Sequence, residues 1–165
     1  MNARWLRLAM NCWPPFVGAG IRVKRIAPDF SEVDVEMRLG WTNRNYVGTH
    51  FGGSLYAMTD PFHMVMTLHR LGRSYIVWDK AGSVEYVAPG RGTVRAEFRI
   101  ADEEIDEIRR QAATGDKVFP EFAVDVVGAD GKVVARVRKT LYVRLKNSAD
   151  ASAADDGRRQ GRSAN

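Results

Sequence analysis

One cysteine, Cys12, occurs in 165 residues, so no internal disulfide can form. The fold must rest on its own core, and a reducing compartment suits such a chain; the cytoplasm is the expected location. No apolar run reaches the ~20 residues that cross a bilayer. In the opening stretch, "MNARWLRLAMNCWPPF", Arg7 and Asn11 interrupt any secretory apolar core, and no small-x-small cleavage site follows. Zinc-ligand spacings, phosphate loops and dinucleotide fingerprints are missing. His63 and His69 stand six residues apart, off any good metal spacing, and read as packing or surface residues. Lysines and arginines form no stripe interleaved with aromatics. The expectation is therefore no metal, no cofactor, no membrane partner and no nucleic acid.

What is present is an ordinary globular composition, 45% hydrophobic and 27% charged. A chain of this length buries roughly 70% of its unfolded surface and needs no staple. We expect one domain over residues 1–146 and a disordered tail over 147–165, where alanine is the only apolar residue type. The net charge is +5. The tail "NSADASAADDGRRQGRSAN" carries three aspartates and three arginines, so the whole excess belongs to the folded part. Such a balance favours an anionic partner, nucleic acid or a phosphate-bearing small molecule, although a basic surface by itself is more often only a solvated one.

Periodicity supplies the elements. The opening stretch reads as a short amphipathic helix stopped by Pro14 and Pro15. Val33, Val35, Met37 and Leu39 alternate with Asp34, Glu36 and Arg38, the mark of a half-buried antiparallel strand. Ile21 to Ile26 is a weaker strand before it. The stretch "SYIVWDKAGSVEYVAPG" reads as a long strand ending at Pro89. Val94, Ala96, Phe98 and Ile100 face one way from the next. The segment near 102–114 has acids first, arginines later and Gly115 as a stop, which marks a surface helix. Asp130-Gly131 turns a hairpin. On its second strand Ala135, Val137, Leu141, Val143 and Leu145 face the core, and Arg136, Arg138 and Arg144 lie opposite with Tyr142. The predicted class is α+β, an antiparallel sheet of about six strands wrapped around one buried helix at about 52–71. Open sheet edges invite a second chain.

Within that buried segment, "GGSLYAMTDPFHMVMTLHRL", sits one acid, Asp60, followed by Pro61. Two readings stand. Asp60 and Pro61 can open a helix as N-cap and first residue. Alternatively the helix starts at Gly52 or Gly53 and Pro61 kinks it. Asp60 then lies two turns in, where burial favours the neutral acid unless donors hold it charged.

The stretch Asn45–Asp60, "NYVGTHFGGSLYAMTD", resembles the signature of hotdog-fold acyl-CoA thioesterases of the phenylacetyl-CoA thioesterase type. Asn45, Gly48, Gly52, Gly53 and Asp60 fall at matching positions. Phe51 stands where the family has histidine, and His50 is one place early. The whole chain is also similar to an uncharacterised group of hotdog proteins sharing "WPPF", "GTHFGGSLYAMTDPF" and "WDK". The resemblance implies a hotdog fold and hydrolysis of an acyl-CoA thioester, with coenzyme A as part of the substrate. Asp60 would be nucleophile or general base, the Gly53 amide the carbonyl polariser, and Asn45 an orienting group. Gly52, Ser54, His50 and Phe51 would contact substrate.

Seven residues of continuous helix separate Gly53 from Asp60 by about 10 Å. One reacting carbon cannot touch both. If both act on one carbonyl they come from two chains, hence a homodimer or homotetramer with interfacial sites. Simpler roles stand beside these: Asn45 holding its own turn and Ser54 capping a helix. Asp79 and Lys80 form either a polar pair at the pocket mouth or a cross-strand ion pair, and Arg136, Arg138 and Arg144 either meet coenzyme A phosphates or line a solvated face or an oligomer contact. A non-catalytic acyl-CoA-binding or lipid-binding protein, motivated by Phe51, is the alternative. An enoyl-CoA hydratase is a lesser one.

Overall fold

The computed structural model describes residues 1–147. The tail expected to be disordered, apart from Asn147, lies outside them. The first element is α1 (Ala3–Cys12), capped by the Asn2 side chain, which accepts from the Trp5 amide at 3.0 Å. Ala3, Leu6 and Met10 form its buried stripe. Pro14 and Pro15 do more than stop this helix. They open a second one, α2 (Pro14–Ala19), in first-turn positions that need no amide. Gly20, at φ 70°, closes α2 in the left-handed conformation that glycine adopts without steric cost.

Six strands follow: β1 (Ile21–Ile26), β2 (Glu32–Arg38), β3 (Tyr75–Tyr86), β4 (Thr93–Arg99), β5 (Glu121–Gly128) and β6 (Val133–Leu145). They form one antiparallel sheet in the order β1-β2-β4-β5-β6-β3. Inward alternation sets the register. Val33 pairs with Phe98 and Val35 with Ala96, all four buried. The surface helix is α5 (Asp102–Ala112), where Glu104 reaches back to the Ala101 amide at 2.8 Å.

The central segment is two helices, α3 (Gly52–Ala57) and α4 (Phe62–Leu71), joined by a turn through Met58, Thr59, Asp60 and Pro61. Pro61 is the reason. It has no amide to continue the ladder, and the Asp60 amide bonds the Ala57 carbonyl instead, at 3.3 Å. The start at Gly52 agrees with the kinked-helix reading. Asp60 caps nothing, since the N-cap of α4 is Pro61 and no side chain bonds there. Leu55, Met58, Phe62 and Met66 are buried, and the Phe62 ring lies between those of Phe16 and Phe98.

The two sheet edges are treated differently. Along β1, the Asn11 side chain donates to the Val23 carbonyl at 3.0 Å and accepts from its amide at 2.8 Å, while Arg7 donates to the Lys24 carbonyl. Helix α1 thus occupies that edge as a strand would. The other edge is β3, 12 residues long and largely exposed. Among the described residues no helix is long and apolar enough to cross a membrane.

Candidate functional site

The turn between α3 and α4 presents Asp60, whose side chain is 50% exposed, over the β3–β6 end of the sheet. Its Oδ1 accepts a 2.6 Å hydrogen bond from Lys139 Nζ. Lys139 is itself only 2% exposed. It belongs to the inward row of β6, with Val137 and Leu141 on either side, and pairs with Gly82 of β3 and Phe122 of β5. Asp79 Oδ1 lies 3.4 Å from the same ammonium, and the Tyr56 ring centre 5.1 Å from it. A Cβ on Gly82 would overlap the Tyr56 hydroxyl, so glycine is what lets Tyr56 settle there.

The charges in this cluster shift one another. Burial works against the Lys139 ammonium, but the hydrogen bond and charge of Asp60, with further help from Asp79 and Tyr56, outweigh it, and the lysine pKa is raised. Burial raises the Asp79 pKa; the Lys139 charge opposes without reversing it, and the Asp60 charge adds to it. His63, one turn into α4 from Asp60, is buried between Phe98 and Phe122 and stacks on the latter. Burial first, then the Lys139 charge, lower its pKa to about 4. It is a neutral packing group, as its spacing suggests, and among the described residues no hydrogen bond joins it to Asp60. His69 stacks on Phe30 with ring centres 3.9 Å apart.

The other predicted residues gather elsewhere. Asn45, His50 and Gly52 line a cavity of about 500 Å³ with Leu55, Tyr86 and Arg91. Asn45 holds its own turn. Its amide donates to Thr49 Oγ1 and the His50 carbonyl, and its oxygen accepts from the Val47 and Thr49 amides. The His50 ring is buried, with Nε2 3.0 Å from the Gly92 carbonyl, and burial lowers its pKa. It straps the loop to the segment after β3. Phe51, 56% exposed, is the N-cap of α3, and its ring lies where a Cβ on Gly53 would be. Ser54 is buried in the first turn and caps nothing. The Gly52 and Gly53 amides make no backbone hydrogen bond among the described residues, so α3 opens on two free donors.

Asp60 does not line this cavity. One chain therefore holds the acid and the free amides in two places along β3: Asp60 beside Asp79, and Gly52 against the Tyr86 ring. Asp79 and Lys80 do not pair with each other; Asp79 makes the cross-strand ion pair, with Lys139 of β6 at 3.4 Å. A bulge between Asp79 and Ala81 sends Asp79 inward to Lys139, and Lys80 lies over the Phe119 ring at 3.7 Å. Arg136 is engaged by Asp125 at 3.0 Å. Lys139 and Tyr56 are site residues that sequence reasoning passed over. The signal for Lys139 is plain in retrospect. It is the one cation in an otherwise apolar inward row, Ala135–Val137–Lys139–Leu141–Val143, and a buried cation requires a carboxylate.

The chain matches, over residues 2–143, the family described as "Domain of unknown function (DUF4442)", and it belongs to that family. No curated protein sequence matches it. Among solved structures it is similar to PA5026 from Pseudomonas aeruginosa, described as a protein of unknown function and "Probable Thioesterase", with a TM-score of 0.78, 19% identity, and coverage of 87% of this chain and 95% of that one. A Chlorobaculum tepidum protein of unknown function aligns at TM-score 0.69 and 17% identity over 87% and 94%. The Haemophilus influenzae thioesterase HI1161 aligns at 0.64 and 13% over 88% and 92%. At these identities the likeness establishes the fold, and it is the hotdog fold.

Proposed function

We propose that this DUF4442 protein is a homodimeric hydrolase of acyl-CoA thioesters, with Asp60 of one chain acting on a carbonyl polarised by the α3 amides of the other. The observation that carries the reading is the placement of both parts along one open edge strand. Asp60 lies beside Asp79, and Gly52 lies against Tyr86 at the far end of β3. Antiparallel pairing of two β3 strands about a two-fold axis near Gly82 and Ser83 would set Asp79 of one chain opposite the partner's Tyr86. Asp60 would then face the partner's Gly52 and Gly53. The edge is available because β3 is the last strand of the sheet, whereas α1 covers the opposite edge along β1.

The chemistry is then divided. Free amides at the start of α3 carry partial positive charge and suit the oxygen that becomes negative as the carbonyl is attacked. The half-exposed Asp60 carboxylate either attacks that carbon, expelling the coenzyme A thiolate and leaving an acyl–aspartyl anhydride that water cleaves, or takes a proton from a water whose oxygen attacks the carbon as the thiolate leaves. The excess of positive charge draws the coenzyme A phosphates toward the protein. Thioesterase neighbours of the same fold support the reaction class.

The test is hydrolysis of a panel of acyl-CoAs by the wild type and Asp60→Asn. Turnover by the first and its loss in the second is the expected result; a wild type inert toward the whole panel rejects it. One observation favours a second reading. The Phe51 ring lies against Gly53 and the His50 ring is committed to Gly92, which suits a protein that binds acyl-CoA without cleaving it. Thermal stabilisation by acyl-CoA with no turnover would decide for that reading.

A further inference from the structure

Lys139 occupies a position the fold would fill with an apolar side chain. Its row on β6 is apolar, its neighbours in register are Gly82 and Phe122, and it is 2% exposed. Placing an ammonium there has a desolvation cost of several kcal/mol unless it is fully paired, and well-packed apolar replacements of buried ion pairs are often neutral or stabilising. Stability therefore gives no reason for this lysine. Its surroundings give another. Asp60 from the turn accepts its hydrogen bond at 2.6 Å, and the Asp79 carboxylate of β3 faces it as an ion-pair partner at 3.4 Å without a hydrogen bond. Tyr56 from α3 lies beneath it, and His63 approaches from α4. No other titratable group from the packed elements is placed against it among the described residues.

Asp60 is carried by a short turn with no helix ladder to hold it, and half of its side chain is open to solvent. Left alone, such a carboxylate would sample several rotamers. A reacting carboxylate gains from being held in one. We propose that Lys139 is a positioning residue for Asp60: anchored from behind by Asp79, it fixes Oδ1 and leaves Oδ2 as the oxygen that acts. The assignment of an acting oxygen rests on the thioesterase reading; the clamp itself does not. Asp79 is the second half of the device, since it stops the ammonium from following Asp60 outward.

The experiment has two arms. In the first, three-bond couplings across the Asp60 Cα–Cβ bond are measured by NMR, with Asp60→Asn for assignment. The wild type and Lys139→Arg should show one rotamer, and Lys139→Met rotamer averaging. A single rotamer in Lys139→Met overturns the proposal. In the second arm, thioester hydrolysis by Lys139→Met should lose about 10- to 100-fold in kcat with KM within about threefold, because positioning acts on the reaction and not on substrate binding. Asp79→Asn should lose less. An unchanged kcat overturns the proposal. A wild type without turnover rejects the thioesterase reading, while averaging in the first arm still supports the clamp. Should Lys139→Met fail to fold, Lys139→Gln takes its place; if both fail and Lys139→Arg folds, Lys139 is structural and the proposal falls.

Discussion

The Lys139 ammonium lies 2.6 Å from the Asp60 carboxylate, across 79 residues of chain. A core-facing strand position and an exposed turn are tied by this one contact. It explains how an acid survives in the most apolar segment of the protein. Asp60 is not buried but turned outward by the break at Pro61, and the charge it would leave against the core is met by a cation from below.

Gly82 and Tyr56 are expected to be coupled. Gly82→Ala places a methyl group on the Tyr56 hydroxyl and should destabilise the protein by about 2 kcal/mol. Tyr56→Phe removes the overlapping oxygen and should recover part of that loss. Chemical denaturation of the two single variants and the double variant gives the coupling; strict additivity would show that the two groups do not meet.

His63 makes stability fall on the acid side. Folded, its pKa is about 4; unfolded, it returns to 6.5. The folded state therefore binds fewer protons between those values. Its contribution is complete above 6.5 and is lost as pH falls toward 4. His63→Phe keeps the stack on Phe122 and removes the titration. Relative to the wild type it should gain about 2 kcal/mol more at pH 5 than at pH 8. Parallel pH–stability curves for the two proteins would contradict this.

Asn11 is expected to matter more than a surface asparagine does. Asn11→Ala breaks two hydrogen bonds to Val23 and reopens the β1 edge. The expected loss is about 1–2 kcal/mol, read by urea denaturation, together with a rise in concentration-dependent light scattering. A variant indistinguishable from wild type in both would show that α1 does not guard that edge.

Mixed dimers test the shared site. Gly53→Pro removes one α3 amide in the first turn, where the added ring must displace the exposed Phe51 side chain. Alone, it and Asp60→Asn should each be inactive. Unfolded together and refolded, they should regain about a quarter of wild-type turnover, since half the dimers are mixed and each mixed dimer has one intact site of two. No recovery, or a monomeric mass by sedimentation, would place both groups of a site in one chain or in none.

Much of this was legible along the chain. The alternation at Val33–Leu39 and at Val94–Ile100 gives two strands facing the core, the charges near 102–114 give a surface helix, and Asp130-Gly131 gives the hairpin. Those signals are local, because side-chain period, caps and turn residues act over a few positions. The signature from Asn45 to Asp60 located the candidate site and its family resemblance. It did not fix the role of each member. Asn45 and His50 turned out to secure the loop, because their partners, Thr49 and Gly92, become neighbours only when the loop folds back on the segment after β3. The Asp79–Lys80 pair failed for a related reason: a bulge, invisible in composition, sent the two side chains to different surroundings.

By itself the sequence determined an α+β chain with a buried central segment, broken at a proline next to its single acid. These follow from periodicity and backbone chemistry, which each residue carries with it. Only the tertiary structure decided what that acid meets. Strand order set β6 next to β3, the register put Lys139 opposite Gly82, and the absent side chain there made room for Tyr56. Contacts between distant residues depend on which strands neighbour each other and in what register, and that is fixed by packing the whole core at once.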